Sequence, residues 1–429
     1  MPSRSLCHVL ERRAYRRVTW RLIPFLFACY VAAYLDRVNV GFAKLQMLDE
    51  LGMSETAYGI GAGIFFLGYF LFEVPSNLIL HRVGARTWIA RIMITWGILS
   101  AATMFVASAE WFYLLRFLLG IAEAGFFPGI VLYLSQWYPA SRRGRVMALF
   151  MTAVAISGVI GGPVSGWILD RFAGANGWAG WQWLFLLEAI PAVLLGIMVY
   201  FYLDDSIEQA RWLSAEERAL LLARLHAEGI GMEHRSVGET LRNRRVLLLS
   251  GLYFSFVMGL YGLAFWLPQL IRTLGVQEAW RVGVWSAVPY AVAAVSMVLV
   301  AVSSDHRGER RWHLALSALV GAAGLVAAGL SRTQELAGMV AFSVAAAGIL
   351  SIMPVFWTIP TSFLRGASAA AGIAVINSIG NLAGFLSPYM IGAVTDATGE
   401  ATMALYVLAG FLVLAAAIAV RLDVGSAYG

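Results

Sequence analysis

Residues 22–42 read LIPFLFACYVAAYLDRVNVGF. A helix of about 20 mostly apolar residues crosses the hydrocarbon core of a bilayer, and this stretch is that long. Yet its last third carries Asp36, Arg37 and Asn39. Each charge near the bilayer centre costs about 2.5–3.5 kcal/mol on insertion scales, so such groups face a partner or a wet cavity. A span of this kind cannot stand alone. It predicts a bundle of spans built around a polar interior.

Eleven further apolar runs follow. The spans are expected near Leu22–Phe42, Ala57–Leu80, Trp88–Ala107, Trp111–Trp137, Val146–Leu169 and Trp181–Leu203, then Val246–Ile271, Val282–Ser303, Leu314–Leu330, Leu336–Pro360, Ala369–Val394 and Ala401–Val420. The composition agrees. Of the 429 residues, 60% are apolar and only 13% charged, where a soluble domain carries about 25% charge. The formal charge of +6 does not point to nucleic acid, because the basic residues sit in short clusters between apolar runs. Cys7 and Cys29 have no metal or disulfide spacing and are read as structural. The basic stretch Arg4–Arg21 is not expected to be a cleavable signal, since no small-residue cleavage site follows it.

Twenty-four of the 31 lysines and arginines fall on one side of this topology, including Arg82, Arg86, Arg142, Arg143, Arg145 and the central-loop arginines. The other side holds Lys44, Arg171, Arg272, Arg281 and Arg332, and Arg37 and Arg116 lie inside spans. Basic residues mark the cytoplasmic side. Both termini and the central loop are therefore expected in the cytoplasm, with the chain in the bacterial inner membrane.

The polar stretch 204–245 divides the chain six and six. The expected organisation is a cytoplasmic segment 1–21, a bundle 22–203, the loop 204–245, a second bundle 246–421 and a tail 422–429. The fold class is all-α, twelve transmembrane helices in two pseudo-symmetric six-helix bundles. Secondary transporters are often built from such repeats, with the substrate site between them. His81-Arg-Val-Gly84-Ala-Arg86 after the second span is echoed by Asp305-His-Arg-Gly308-Glu-Arg310 after the eighth. Trp-Tyr-Pro139-Ala-Ser141 is echoed by Ile-Pro360-Thr-Ser362. In the loop, Ser214-Ala-Glu-Glu217 is a capping box, with Leu221, Leu222 and Leu225 forming the apolar side of a surface helix.

Several motifs, taken in order, resemble the major facilitator superfamily and, within it, the anion:cation symporter family. They are Tyr34-Leu-Asp36-Arg37-Val-Asn39, Glu73-Val-Pro75-Ser76-Asn77, Arg116-Phe-Leu-Leu-Gly120-Ile-Ala-Glu123-Ala-Gly125, Gly180-Trp-Gln-Trp183, Phe265-Trp-Leu-Pro268-Gln269 and Gly372-Ile-Ala-Val-Ile-Asn377-Ser-Ile-Gly-Asn381. The resemblance covers nearly the whole chain. It implies the major facilitator fold and proton-coupled uptake of an organic acid of the tartrate, phthalate, sugar-acid or hydroxyphenylacetate type. It also implies that Arg37 is the substrate-carboxylate ligand, Arg116 a charge partner, and Tyr69, Trp357 and Asn377 substrate contacts. A gate or latch is implied at Glu73, Arg82, Arg86, Asp305, Arg307 and Arg310. One departure puts the first-half latch in question: the usual Asp-Arg of that loop is His81-Arg82 here.

The charges within the spans are Asp36, Arg37, Glu73, Arg116, Glu123 and Glu188, all in the first half. Arg116 and Glu123 lie two turns apart on one helix, about 10 Å along its axis, too far for a direct pair. The expected arrangement sets Asp36 against Arg116 and Arg37 against Glu123; the simpler alternative is that ion pairs merely pin two spans together. A planar guanidinium grips a carboxylate with two hydrogen bonds. Proton coupling needs a carboxyl whose affinity for a proton responds to burial and to neighbouring charge, which makes Asp36 and Glu123 the expected carriers. Tyr34, Tyr69, Gln269, Trp357, Asn377 and Asn381 are expected to line the cavity. Glu73 is read as a gate or as a structural group, and Glu188 as structural.

The leading function is a proton symporter importing an organic anion by alternating access. The alternative is a proton antiporter exporting a drug or metabolite, for which Gly158–Gly166 is the best motif. No nucleophile–base pair, metal spacing or phosphate loop suggests an enzyme. The expected partners are a small organic anion, a proton and the lipid bilayer, with no cofactor and no nucleic acid, in a monomer.

Overall fold

A computed structural model describes residues 4–229, 243–331, 334–363 and 366–422. Among them the chain is helical throughout, with short turns. In the first half α1 (Arg4–Val38) and α2 (Val40–Glu50) make one long span, followed by α3 (Glu55–Val83) and α4 (Ala85–Ala102). The fourth span is α5 (Ala109–Glu123) plus α6 (Phe126–Ser135), the fifth α7 (Ala140–Met151) plus α8 (Ala153–Arg171), and the sixth α9 (Gly180–Tyr202). The central connection carries α10 (Ala215–Gly229). The second half is α11 (Arg244–Thr273), α12 (Ala279–Arg307), α13 (Arg311–Ser331), α14 (Glu335–Phe363), α15 (Gly366–Thr398) and α16 (Thr402–Arg421). Hydropathy and length alone qualify eleven membrane spans among the described residues. The twelfth is α15, at 33 residues. This is the twelve-span, all-α architecture expected.

Local chemistry sets the helix ends. Ser54 accepts a hydrogen bond from the Ala57 amide at 3.1 Å and caps α3, and Asn243 caps α11 through the Arg245 amide at 2.9 Å. Such side-chain oxygens satisfy amides that have no partner within the helix. The capping box of α10 is present in full: Ser214 Oγ accepts from the Glu217 amide at 3.2 Å, and Glu217 Oε2 from the Ser214 amide at 3.0 Å. Leu221 is buried, and Leu222 and Leu225 pack on the core. Glu217 also takes Arg17 at 2.9 Å and Arg13 at 3.7 Å, so α10 clamps the basic start of α1.

The halves meet along two seams, α3 on α15 and α8 on α12. Both are close enough to require glycine. A Cβ at Gly162 would lie 2.5 Å from the Gly283 carbonyl oxygen. Small residues that let backbones approach are the usual means of packing helices in lipid, and the Gly158–Gly166 run serves that purpose here.

Three expectations change. Lys44, placed by sequence in a loop opposite the basic face, is fully buried in α2. It pairs with Glu55 and sits over the rings of Trp266, at 4.5 Å, and Tyr58, at 5.0 Å. The cation–π faces and the carboxylate replace the water it leaves. The proline echo also differs in form, since Pro139 precedes α7 whereas Pro360 lies inside α14. Finally, Arg4–Arg21 is no separate segment but the first half of α1. Arg235, Arg242, Arg332 and Arg365, counted in the charge asymmetry, lie outside the described residues.

Candidate functional site

Arg37 stands in the last turn of α1, where a cation complements the negative end of the helix. One Nη donates to the Tyr261 hydroxyl of α11 at 3.0 Å, and the other is ion-paired with Glu123. Its guanidinium lies 5.5 Å from the Phe65 ring and 5.7 Å from the Tyr69 ring. Arg37, Glu123 and Tyr261 are all buried.

Glu123 reaches this place because the fourth span breaks there. α5 ends at Glu123, and Gly125 takes a left-handed backbone, φ +87°, before α6 begins. A Cβ at Gly125 would also lie 2.4 Å from Ser76 Oγ. A carboxylate at a helix C-terminus opposes the helix dipole, so Glu123 depends on Arg37 for its charge balance.

Arg116 lies two turns earlier on α5. Its Nη2 donates to the Ala62 carbonyl at 3.3 Å, and its guanidinium is 5.1 Å from the Phe65 ring. Nε and Nη1 of Arg116, and Nε of Arg37, have no acceptor among the described residues, although both side chains are buried. Buried polar groups are nearly always hydrogen-bonded, so three such donors around one phenyl ring mark a centre able to receive an anion.

Asp36 does not face Arg116, contrary to expectation. It turns to α4, accepting from Trp96 Nε1 at 2.7 Å and Ser100 Oγ at 2.5 Å, and from Asn39 Nδ2 at 3.3 Å. The physical reason is local: adjacent residues on a helix point about 100° apart, and with Arg37 turned toward α5 and α11, Asp36 is carried toward α4.

The neutral candidates divide. Tyr34 and Tyr69 are buried beside the arginine centre, and the Tyr34 hydroxyl has no partner among the described residues. Asn377 is engaged: its Nδ2 donates to Glu73 at 2.7 Å, and Ser378 donates to the same carboxylate at 2.8 Å. Glu73 thus bridges α3 to α15 across the halves. Trp357 packs edge-on to Tyr253 at 5.2 Å and lies 5.9 Å from Phe127, again across the halves. Asn381 is buried one turn beyond Asn377, and Gln269 is half-buried one turn beyond Phe265.

At the expected latch positions, Arg86 finds its acidic partner elsewhere in the chain. Asp205, after the sixth span, accepts from the Arg86 amide at 2.8 Å and pairs with its side chain at 3.8 Å. In the second copy Asp305 pairs with Arg310 at 2.6 Å. Arg82 and Arg307 are exposed. Sequence reasoning missed Tyr261, Phe65, Trp96 and Ser100. The i, i+4 spacing of Phe65 with Tyr69 was a usable signal; nothing in the chain order ties Asp36 to Trp96.

Twelve spans in two halves, with buried charge between them, fit a multi-pass membrane transporter. The chain belongs to the Major Facilitator Superfamily, whose model matches residues 26–388. It is 51% identical to the "Putative metabolite transport protein NicT" of Pseudomonas putida, over 95% of this chain and 94% of that one. It is 52% identical to a "Putative tartrate transporter" of Agrobacterium vitis, over 95% and 90%, and 42% identical to a "Quinolone resistance transporter" of Acinetobacter baumannii, over 92% of each. A solved inward-facing, unoccupied bacterial homolog of the human lysosomal transporter Spinster shares the fold, with TM-score 0.74, 19% identity and coverage of 93% of this chain and 95% of that one.

Proposed function

We propose that the chain is a proton-coupled symporter of the anion:cation symporter type, importing an organic carboxylate by alternating access. The observation that carries this reading is the pair of buried arginines around Phe65: Arg116 Nε and Nη1 and Arg37 Nε lack acceptors among the described residues, while Arg37 alone is ion-paired with Glu123. A substrate carboxylate supplies the acceptors. It competes with Glu123 for Arg37, and a Glu123 deprived of its cation takes up a proton. Anion and proton are thereby bound together. Asp36 is the second carrier, and Tyr34, Tyr69, Gln269, Trp357, Asn377 and Asn381 shape the cavity.

The two halves rock about this centre. Glu73 with Asn377 and Ser378 forms a gate toward the basic face, with the Arg86 and Arg310 pairs as latches beyond it. The basic face is cytoplasmic by the charge rule, and the membrane is the bacterial inner membrane. Relatives named for tartrate support an organic acid as cargo. The relative named for quinolone resistance keeps proton-driven export as the alternative, although two buried arginines disfavour a cationic drug.

The test is uptake of a panel of radiolabelled organic acids, tartrate among them, into proteoliposomes with and without an inward proton gradient. Gradient-driven accumulation of one acid is expected. Efflux of a compound against an opposing proton gradient, with no acid accumulated, would establish the export reading instead.

A further inference from the structure

Two short stretches repeat across the halves. Gly166-Trp-Ile-Leu-Asp170 closes α8, the fifth span, and Gly392-Ala-Val-Thr-Asp396 lies in the last turns of α15, the eleventh. Residues four apart share one face of a helix, and each Gly–Asp face meets the first turn of a helix from the other half. A Cβ at Gly166 would lie 2.4 Å from the carbonyl oxygen of Ala279, the first residue of α12. A Cβ at Gly392 would lie 2.3 Å from that of Glu55, the first residue of α3. The aspartates then reach the next amides. Asp170 Oδ2 accepts from the Trp280 amide at 2.7 Å. Asp396 Oδ2 accepts from the Thr56 amide at 2.8 Å, and its Oδ1 from the Glu55 amide at 3.2 Å. The glycine touches the first residue of the facing helix and the aspartate holds the second, at both seams alike.

The first amides of a helix have no partner within it and carry the positive end of its dipole, so a carboxylate is their natural acceptor. Glu278, just before α12, makes no capping hydrogen bond with its side chain, and the aspartate of the other half supplies one instead. At α3, Ser54 takes the Ala57 amide and Asp396 the two before it. Both contacts sit on the face opposite the basic one, and both aspartates are exposed. That exposure suits a contact made to break. Parting a buried charged pair strands an unpaired charge, whereas water takes over from these carboxylates and amides as the helices separate. Other contacts between the halves cover the same face: Arg272 of α11 donates to the Leu45 carbonyl of α2 at 2.8 Å, and Trp266 covers Lys44, the partner of Glu55.

We propose that Asp170 and Asp396 are a matched pair of clasps that together close the outer face, and that the halves open outward only when both release. The first half holds α12 and the second half holds α3, so the two clasps act reciprocally about the centre. Because each half moves as a body, losing one clasp shifts the balance between closed and outward-open states at both seams and not only at its own. The proposal rests on the alternating-access reading for this motion, and on neither the proton nor the cargo.

The test reads each face of the full chain in sealed vesicles, with Cys7→Ser and Cys29→Ser as background. Ser286→Cys is the outer probe. It is buried at the α8–α12 seam, where Ser286 lines a cavity with Gly162 and Ser165. Phe127→Cys is the probe for the basic face. A membrane-impermeant thiol reagent is applied to one face at a time. Asp396→Ala, at the far seam, is expected to speed labelling of Ser286→Cys from the outer face about two- to fivefold, the range of an exposed charged contact. Asp170→Ala does the same, and the two factors multiply in the double variant. Labelling of Phe127→Cys from the basic face does not rise. An effect of Asp170→Ala without one of Asp396→Ala makes each aspartate a local helix cap and overturns the proposal. Faster labelling from both faces is general loosening and overturns it as well. If either alanine variant fails to fold, Asp396→Asn and Asp170→Asn, which keep one acceptor and lose the charge, decide the matter in the same direction. The unaltered aspartates separate the clasp from the motion beneath it. Labelling of both probes, each from its own face, with rates indifferent to the aspartates removes the clasps and leaves alternating access. A path that opens on one face alone removes alternating access and the clasps with it.

Discussion

Arg37 is held by three unlike contacts, an ion pair to Glu123, a hydrogen bond to Tyr261 and two aromatic faces. Hydrogen bonds to charged groups contribute about 1.5–3 kcal/mol. Tyr261→Phe is therefore expected to raise KM for the transported acid roughly tenfold or more, with folding intact by thermal melt. Arg37→Lys keeps the charge but loses the planar fork; transport is expected to fall further than in Tyr261→Phe. A kcat/KM for Arg37→Lys within twofold of wild type would remove Arg37 from the anion site. Much of this was legible in the sequence, because charge inside an apolar run is conspicuous: Arg37, Glu123 and Arg116 stood out by being there at all. Tyr261 did not, being one aromatic among many in α11. Lys44 was misread because the first span was taken to end at Phe42, and only the cage of Tyr58, Trp266 and Glu55 explains its burial.

Among elements, the broken fourth span and the tether helix carry separate consequences. Gly125 combines a left-handed backbone with contact on Ser76. Gly125→Ala is expected to cost at least about 1–2 kcal/mol from backbone strain alone, read as a lowered Tm, and to displace Glu123 from Arg37. The tether responds to acid. Burial pushes the Glu217 carboxyl up, but the Ser214 amide and Arg17 and Arg13 outweigh it, so its pKa lies below the ordinary 4.5. A depressed carboxylate stabilises the fold above its unfolded pKa, and that contribution is lost as pH falls through the folded value. The protection of α10 amides, with the intrinsic pH dependence of exchange divided out, is thus expected to be steady at neutral pH and to fall only below about 4.5, and Glu217→Gln to lower it at neutral pH. The capping box was readable because both its ends lie within four residues. The clamp on α1 joins residues 200 apart and was not.

At the scale of the molecule, the two halves touch through glycine seams on one side and through Glu73, Asn377, Ser378, Phe127 and Trp357 on the other. Removing the polar bridge favours opening toward the basic face. With Cys7→Ser and Cys29→Ser as background, Glu73→Ala is expected to speed labelling of a Phe127→Cys probe by a membrane-impermeant thiol reagent applied to that face; an unchanged rate would make Glu73 a packing residue and no gate. The twelve-span count and the two halves follow from hydropathy and charge alone. Which residues face one another across the halves does not, since helices far apart in sequence meet only once the bundle closes. Glu73 of α3 meeting Asn377 and Ser378 of α15 is the clearest case.

The central claim is that substrate and Glu123 compete for Arg37, so that anion binding loads the proton. The most direct measurement compares Glu123→Gln with wild type for one radiolabelled acid, in counterflow exchange and in accumulation driven by an inward proton gradient. The account predicts that exchange persists and gradient-driven accumulation is lost. Equal loss of both, or accumulation at the wild-type level, would contradict it.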